Sequence, residues 1–254
     1  MKKINYDKLN LKGSEQVFHM WEPLKFEIKD DYKYVNRNII FKTISNIIFF
    51  IVAPIVYILN KILFGFTIEG KENLKSVKNG KITISNHVHP MDCTMNGLIN
   101  FPQRIYYPTL PNNFKIPFIR HLIKILYAIP IPQKQSQKEK FLKEIKNVIQ
   151  EGKTVHIYPE ASLWPYYEKI RTFQKGAFKI AVEANCPIVP ILYKFEEPAG
   201  IYKLYKRKKC IHAKVLKPIY PDLKLDKISR VENLIQETKK VMESENKNKR
   251  GKRL

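Results

Sequence analysis

Cysteine is scarce in this chain: three residues in 254, and Cys93, Cys186 and Cys210 form no Cys-x-x-Cys pair. An odd, unpaired set excludes a disulfide scaffold and a four-cysteine zinc site, and it fits a reducing compartment. Carboxylates are the second shortage, with 23 Asp and Glu against 46 Lys and Arg, a formal charge of +23. Compositional drift toward lysine would enrich glutamate as readily. The imbalance therefore points to a polyanionic partner: nucleic acid, an anionic membrane surface or a phosphorylated substrate. No Gly-x-Ser-x-Gly is present, so a serine-hydrolase elbow has no support. Gly152-Lys153-Thr154 ends like a phosphate-binding loop, but Asn147 stands where the first glycine belongs and an extended segment follows. The basic run Lys206-Arg207-Lys208-Lys209 matches no nucleic-acid module, so no nucleic-acid partner is expected. The first 38 residues are polar and mixed and hold no apolar core of a cleavable signal peptide.

What the chain does have is enough apolar residue, 44%, to fill the core of one good-sized domain. It also has one long uncharged run, Thr43–Asn60, bracketed by Lys42 and Lys61. Its 18 residues sit at the lower limit for crossing a bilayer, which takes ~20. Pro54 in the middle removes an amide donor and predicts a kink or a reversal. One spanning helix and two shallow helices in one leaflet both satisfy the pattern, and membrane attachment is favoured over a buried core helix. Residues 1–65 are thus expected to form a membrane-associated region, residues 66–242 a catalytic-size domain and residues 243–254 a frayed basic tail.

From Phe66 onward short apolar runs alternate with longer helical patterns, which predicts an α/β fold with a mostly parallel central sheet flanked by helices. Strands are expected at Phe66–Glu69, Lys81–Ser85, Arg104–Tyr107, Ala128–Ile131, Thr154–Tyr158, Ile188–Lys194 and Ile211–Leu216. Helices are expected over Phe114–Tyr127, Gln137–Glu151, the segment after Gly176, and Ile228–Met242. Ser136 and Glu139 have the spacing of a capping box for the second of these.

The strand Lys81–Ser85 runs into Asn86-His87-Val88-His89-Pro90-Met91-Asp92. Pro90 suits the first position of a helix. That places His87 on the strand-to-helix turn and Asp92 in the first helical turn, where the carboxylate can fold back on the imidazole. Such a contact fixes the tautomer and leaves the other ring nitrogen as a base. A helix-capping Asp beside a structural His is the alternative. A second alternative joins His87 and His89 as metal ligands, as in amidohydrolase-type barrels. Only His121, His156 and His212 remain downstream to complete such a set.

These residues resemble the lysophospholipid acyltransferase superfamily, in particular bacterial 1-acylglycerol-3-phosphate acyltransferases. Ile68–Leu74 is similar to the strand and turn before the family's first motif. Asn86-His87 with Asp92 matches Asn-His-x-Ser-x-x-Asp, His89 replacing the serine. Phe114–Phe118 resembles the Lys-x-Pro segment, and Tyr158-Pro159-Glu160 opens the Phe-Pro-Glu-Gly-Thr-Arg-Ser motif. Phe173–Phe178 and Pro187–Pro190 follow in family order. The departures lie in the phosphate pocket: Ala161-Ser162-Leu163-Trp164 replaces Gly-Thr-Arg-Ser, and Gln133 takes the place of a second arginine. Two lost cations matter, because arginine supplies bidentate recognition of phosphate.

The resemblance implies acyl transfer from acyl-CoA or acyl-carrier protein to a lysophospholipid hydroxyl, giving phosphatidic acid when the acceptor is 1-acylglycerol-3-phosphate. It implies His87 as base, Asp92 as its orienting partner, and neither cofactor nor metal. Glu160 is expected to position the acceptor. Lys115, Lys175 and Arg171, with Lys169, are the cations that could meet its phosphate; an acceptor without a phosphate monoester is the other solution. The thioester donors are cytosolic, so the domain is expected on the cytoplasmic face of the cell membrane, its basic surface against anionic lipids.

Overall fold

The computed structural model describes Tyr6, Glu15, residues 26–116 and residues 119–248. The uncharged run becomes one continuous helix, α1 (Ile39–Phe64), which extends beyond both expected ends and passes through Pro54 without reversing. Asn38 starts it, its side chain accepting the amides of Ile40 and Phe41. Gly65 ends it in the left-handed region at φ 58°, donating to Asn60 and Lys61. A hairpin of two short helices is therefore not what this segment forms.

All seven expected strands are present, within two residues of their expected ends, as β1 (Thr67–Glu69), β2 (Lys81–Ser85), β3 (Ile105–Thr109), β4 (Ala128–Pro130), β5 (Thr154–Ile157), β6 (Ile188–Glu196) and β7 (Cys210–Val215). They form one sheet in the order β1-β7-β6-β2-β5-β3-β4. Every pairing is parallel except β6 with β7, so β1 and β7 run against the other five. The C-terminal ends of β2, β3, β5 and β6 consequently share one edge with the start of β7.

The connecting helices are α2 (Glu72–Lys75), α3 (Asp92–Asn100), α4 (Ile119–Ile125), α5 (Gln135–Gln150), α6 (Gly176–Ala184), α7 (Tyr202–Tyr205) and α8 (Lys227–Lys247). The short α2 and α7 were not expected. The long helix expected from Phe114 is a 3₁₀ turn, Pro111–Lys115, followed by the shorter α4. Pro90 does not open α3, which begins at Asp92. The capping box is not used either: α5 starts at Gln135 after Lys134, which puts Ser136 inside the first turn. At the other end α8 carries on to Lys247, so residues 243–247 are helical rather than frayed, while 249–254 lie outside the described residues.

Side-chain alternation along the sheet sorts two cores. Ile82 and Ile84 of β2 with Ile188 and Leu192 of β6 meet α5, α6 and α8. Val189, Ile191 and Tyr193 point the other way, to the layer that contains α3 and α1. Helix α1 lies lengthwise on that second layer. Ser45, Ala53 and Asn60 are buried, and Phe49, Val56 and Phe64 pack against the core. These six recur every three or four residues, a single stripe. Ser45 donates to the Ile125 carbonyl at 2.5 Å and receives Arg104 at 2.9 Å, pinning the N-terminal half of the helix. The opposite face is open and apolar, with Ile44, Ile47, Ile51, Ile55, Ile58 and Ile62 all exposed. By length and composition α1 could cross a membrane.

Candidate active site

His87 follows β2 at the shared edge, and Asp92 is the first residue of α3. Between them the chain turns tightly, the Asp92 amide donating to the His89 carbonyl. Asp92 therefore folds back, and its Oδ2 lies 2.7 Å from His87 Nδ1. The carboxylate is 1% exposed, while the His87 side chain keeps 21% of its surface open. With Nδ1 bonded to a buried carboxylate, the neutral ring carries its proton there, and Nε2 is left with a free lone pair.

The other Asp92 oxygen accepts the Tyr158 hydroxyl at 2.7 Å, and the Tyr158 ring stacks on His87 with centroids 3.9 Å apart. Below them Asn96 Nδ2 bonds Tyr158 Oη at 3.1 Å and His156 Nε2 at 2.9 Å, while Asn96 Oδ1 accepts from Tyr193 at 2.8 Å. His156 Nδ1 meets Thr83 Oγ1 at 3.0 Å. Burial, with Asp92 close by, pushes the Tyr158 and Tyr193 phenols well above 10, so both remain donors. Burial also pushes His156 down to about 3 and His89 down to about 4, so both are neutral. A buried polar network is stabilising only when each member is satisfied. Here the donors converge on one carboxylate.

Glu160, expected to position the acceptor, is committed to protein partners. It is fully buried and holds the His87 turn from behind, accepting the His87 backbone amide at 3.1 Å. The Arg171 amide at 2.9 Å and the Arg171 guanidinium at 2.8 Å complete its coordination. Arg171, expected among the cations that meet the acceptor phosphate, is 5% exposed, bonded to Ser162 and Glu160, and stacked 4.6 Å above Trp164. A buried carboxylate needs a charge partner and several donors, and Arg171 is that partner. Ala161, in place of the family's glycine, holds φ 64° in the same turn, and Leu163 is buried. Lys175 is exposed and paired with Glu232 at 3.1 Å. Lys115 is exposed at the end of the 3₁₀ turn after β3, on the same sheet edge as His87.

Tyr158, Asn96 and Tyr193 were not singled out from sequence. The one signal available was Tyr158, a hydroxyl where the resembling motif has phenylalanine. Among the described residues no three His, Cys, Asp or Glu side chains converge in a way that could hold a metal.

Comparison with known proteins converges on the same region. The family model described as acyltransferase matches residues 65–194, half of the chain. A 1-acyl-sn-glycerol-3-phosphate acyltransferase of Saccharomyces cerevisiae is 27% identical over 187 residues, covering 70% of this chain and 60% of the yeast protein. A chloroplastic protein of the same name from Brassica napus is 27% identical over 125 residues, covering 49% and 36%. The chain thus spans about 60% or less of the length of these relatives. The crystal structure of the 1-acyl-sn-glycerophosphate acyltransferase PlsC from Thermotoga maritima superposes with a TM-score of 0.54 at 19% identity, over 79% of this chain and 82% of that one, and so shares its fold.

Two stability measurements test this description. Arg171→Ala strands the Glu160 charge and should cost about 3–5 kcal/mol in urea unfolding. An unchanged midpoint would mean that the pair is not structural. Histidines held neutral by burial take up protons on unfolding, so stability present above pH 6.5 should fall as the pH drops toward 4 and then 3. His156→Gln should flatten that decline, and an equal slope in both proteins would exclude His156 as its source.

Proposed function

Because the chain belongs to the acyltransferase family, we propose that it moves a fatty acyl group from a thioester to a lysophospholipid hydroxyl. The acceptor we assign is 1-acylglycerol-3-phosphate, the product phosphatidic acid, and the donor acyl-CoA or acyl-carrier protein. The observation that carries this reading is the 2.7 Å bond between the buried Asp92 carboxylate and His87 Nδ1, on a ring whose other nitrogen meets no hydrogen-bond partner among the described residues. His87 Nε2 takes the proton of the acceptor hydroxyl as its oxygen attacks the thioester carbonyl. The carbon–sulfur bond breaks, an ester forms, and the proton passes to the departing thiolate. Asp92 holds the ring and stabilises the imidazolium, and Tyr158 and the His89 amide hold Asp92 in turn. Glu160 acts through the His87 backbone as a positioning residue.

Lys115 is the cation we assign to the acceptor phosphate. Of the four candidates, Arg171 is committed to Glu160 and Lys175 to Glu232; Lys115 and Lys169 are both exposed, and Lys115 follows β3 on the edge that bears His87. The open apolar face of α1 supports attachment to the membrane where such an acceptor resides. Its inner stripe is engaged with the domain from Ser45 to Phe64, about 28 Å of helix, which favours a helix lying in one leaflet over one that crosses. Cytosolic thioesters would place the domain on the cytoplasmic face.

His87→Ala should lower kcat by about 10²–10⁴-fold in a protein that still folds and melts cooperatively. Turnover within threefold of wild type would remove His87 from the mechanism. Lys115→Ala should raise the KM for 1-acylglycerol-3-phosphate about tenfold, the scale of one hydrogen bond to a charged group. It should leave a phosphate-free acceptor unaffected, and equal losses on both acceptors would make Lys115 structural.

A further inference from the structure

The connection from β6 to β7 starts at the sheet edge that bears His87. Within it, Ile201–Lys209 reads Ile-Tyr-Lys-Leu-Tyr-Lys-Arg-Lys-Lys, five cations and no carboxylate in nine residues. Two of the five are engaged: Lys206 Nζ bonds the Leu63 carbonyl at 2.6 Å and Lys209 pairs with Glu168 at 2.5 Å. Lys203, Arg207 and Lys208 are exposed. So are the large apolar side chains between them: Ile201 is 69% exposed, Leu204 84% and Tyr205 52%. The four-residue α7 turns its leucine outward and has no fully buried side chain to hold it there. What holds it is α1.

The Tyr205 hydroxyl donates to the Ile62 carbonyl at 3.0 Å, and Lys206 takes the next carbonyl along. These are among the last carbonyls of α1, which have no partner inside the helix. Closer in, Gly65 lets the backbone approach Cys210 and Tyr202, since a Cβ there would stand 2.4 Å from the Cys210 sulfur. Clamped in this way, the exposed Ile201 and Leu204 sit close to the end of α1, where Ile58, Ile62 and Leu63 are exposed as well. The site lies alongside. Phe64 meets the His89 ring edge-on at 4.7 Å, and Lys206 and Lys208 are close enough to oppose a charge on His89.

We propose that the 201–209 segment is a second membrane-docking element, in which Ile201, Leu204 and Tyr205 enter an anionic leaflet while Lys203, Arg207 and Lys208 meet lipid phosphates. Apolar and aromatic side chains interleaved with exposed cations are the pattern of an interfacial element, apolar below the headgroups and charged among them. Each cation near an anionic surface adds attraction of its own. Together with the last turns of α1, the segment would press the His87 edge of the sheet against the bilayer. The inference rests on the membrane reading of α1 made above.

The test is binding of the full chain to phosphatidylcholine vesicles with and without phosphatidylglycerol, followed by co-sedimentation. Leu204→Glu should weaken binding to both vesicle types at least tenfold. The triple variant Lys203→Glu, Arg207→Glu, Lys208→Glu should abolish the preference for phosphatidylglycerol while leaving the weaker binding to phosphatidylcholine. Each variant should keep the wild-type melting transition, since none of these side chains is buried. Ile55→Glu, on the open face of α1, is the control that separates the two readings. If Ile55→Glu detaches the protein and Leu204→Glu does not, α1 alone holds the membrane and this inference falls. If the wild type binds neither vesicle, the membrane reading itself is wrong. If the triple variant keeps the wild-type preference for phosphatidylglycerol, the cations do not contact lipid and the proposal is overturned.

Discussion

Two buried carboxylates hold His87 from opposite sides, and the rest of the edge is arranged to satisfy them. Asp92 holds the imidazole ring, and Glu160 holds the backbone amide of the same residue. Neither carboxylate could remain in the interior unaided, because a buried charge without partners costs several kcal/mol. Arg171 neutralises Glu160, and the start of α3 together with Tyr158 and the His89 amide supports Asp92. These partners come from three separate stretches of chain, so forming the site and closing the sheet edge are one event. The polar face of β2, through Thr83 and Ser85, belongs to the same arrangement, since both reach His156 beneath Asn96.

The sheet was legible because its strands are short apolar runs between clear breaks, and parallel strands covered on both faces need no finer pattern. The His87–Asp92 pair was legible because five residues across a tight turn is a local relationship. What escaped was anything decided across the chain. Arg171 reads as a spare cation until the loop after β5 brings Glu160 to it, and nothing in its own neighbourhood signals that pairing. Tyr158 reads as part of a strand end, and its partner Asp92 lies 66 residues away. The Ser136–Glu139 spacing shows the reverse error. A local signal was present, but α5 starts a residue before the serine and leaves it no amide to cap.

Helix α1 was read correctly as apolar but too short. Lys42 and Lys61 looked like boundaries, yet a flanking lysine ends a helix no more than a surface lysine does. The ends are set by Asn38 and Gly65, a side-chain cap and a left-handed residue. What decides its attitude is the stripe from Ser45 to Phe64. A helix with its polar atoms spent on Arg104, Ile125 and Thr94 is tied to the domain along its length.

The reversed pair at the sheet margin bears on how the molecule is made. Strand β1 follows α1 directly, yet among the described residues its sheet partner is β7, with Thr67 opposite His212. Chain is synthesised at about 5–20 residues per second. β1 therefore waits on the order of ten seconds for its partner to emerge, with α1 already synthesised ahead of it. Throughout that interval the apolar helix precedes the sheet that will cover its inner stripe. In a chain with such an order, the inner stripe of α1 stays uncovered until the strands behind it have paired.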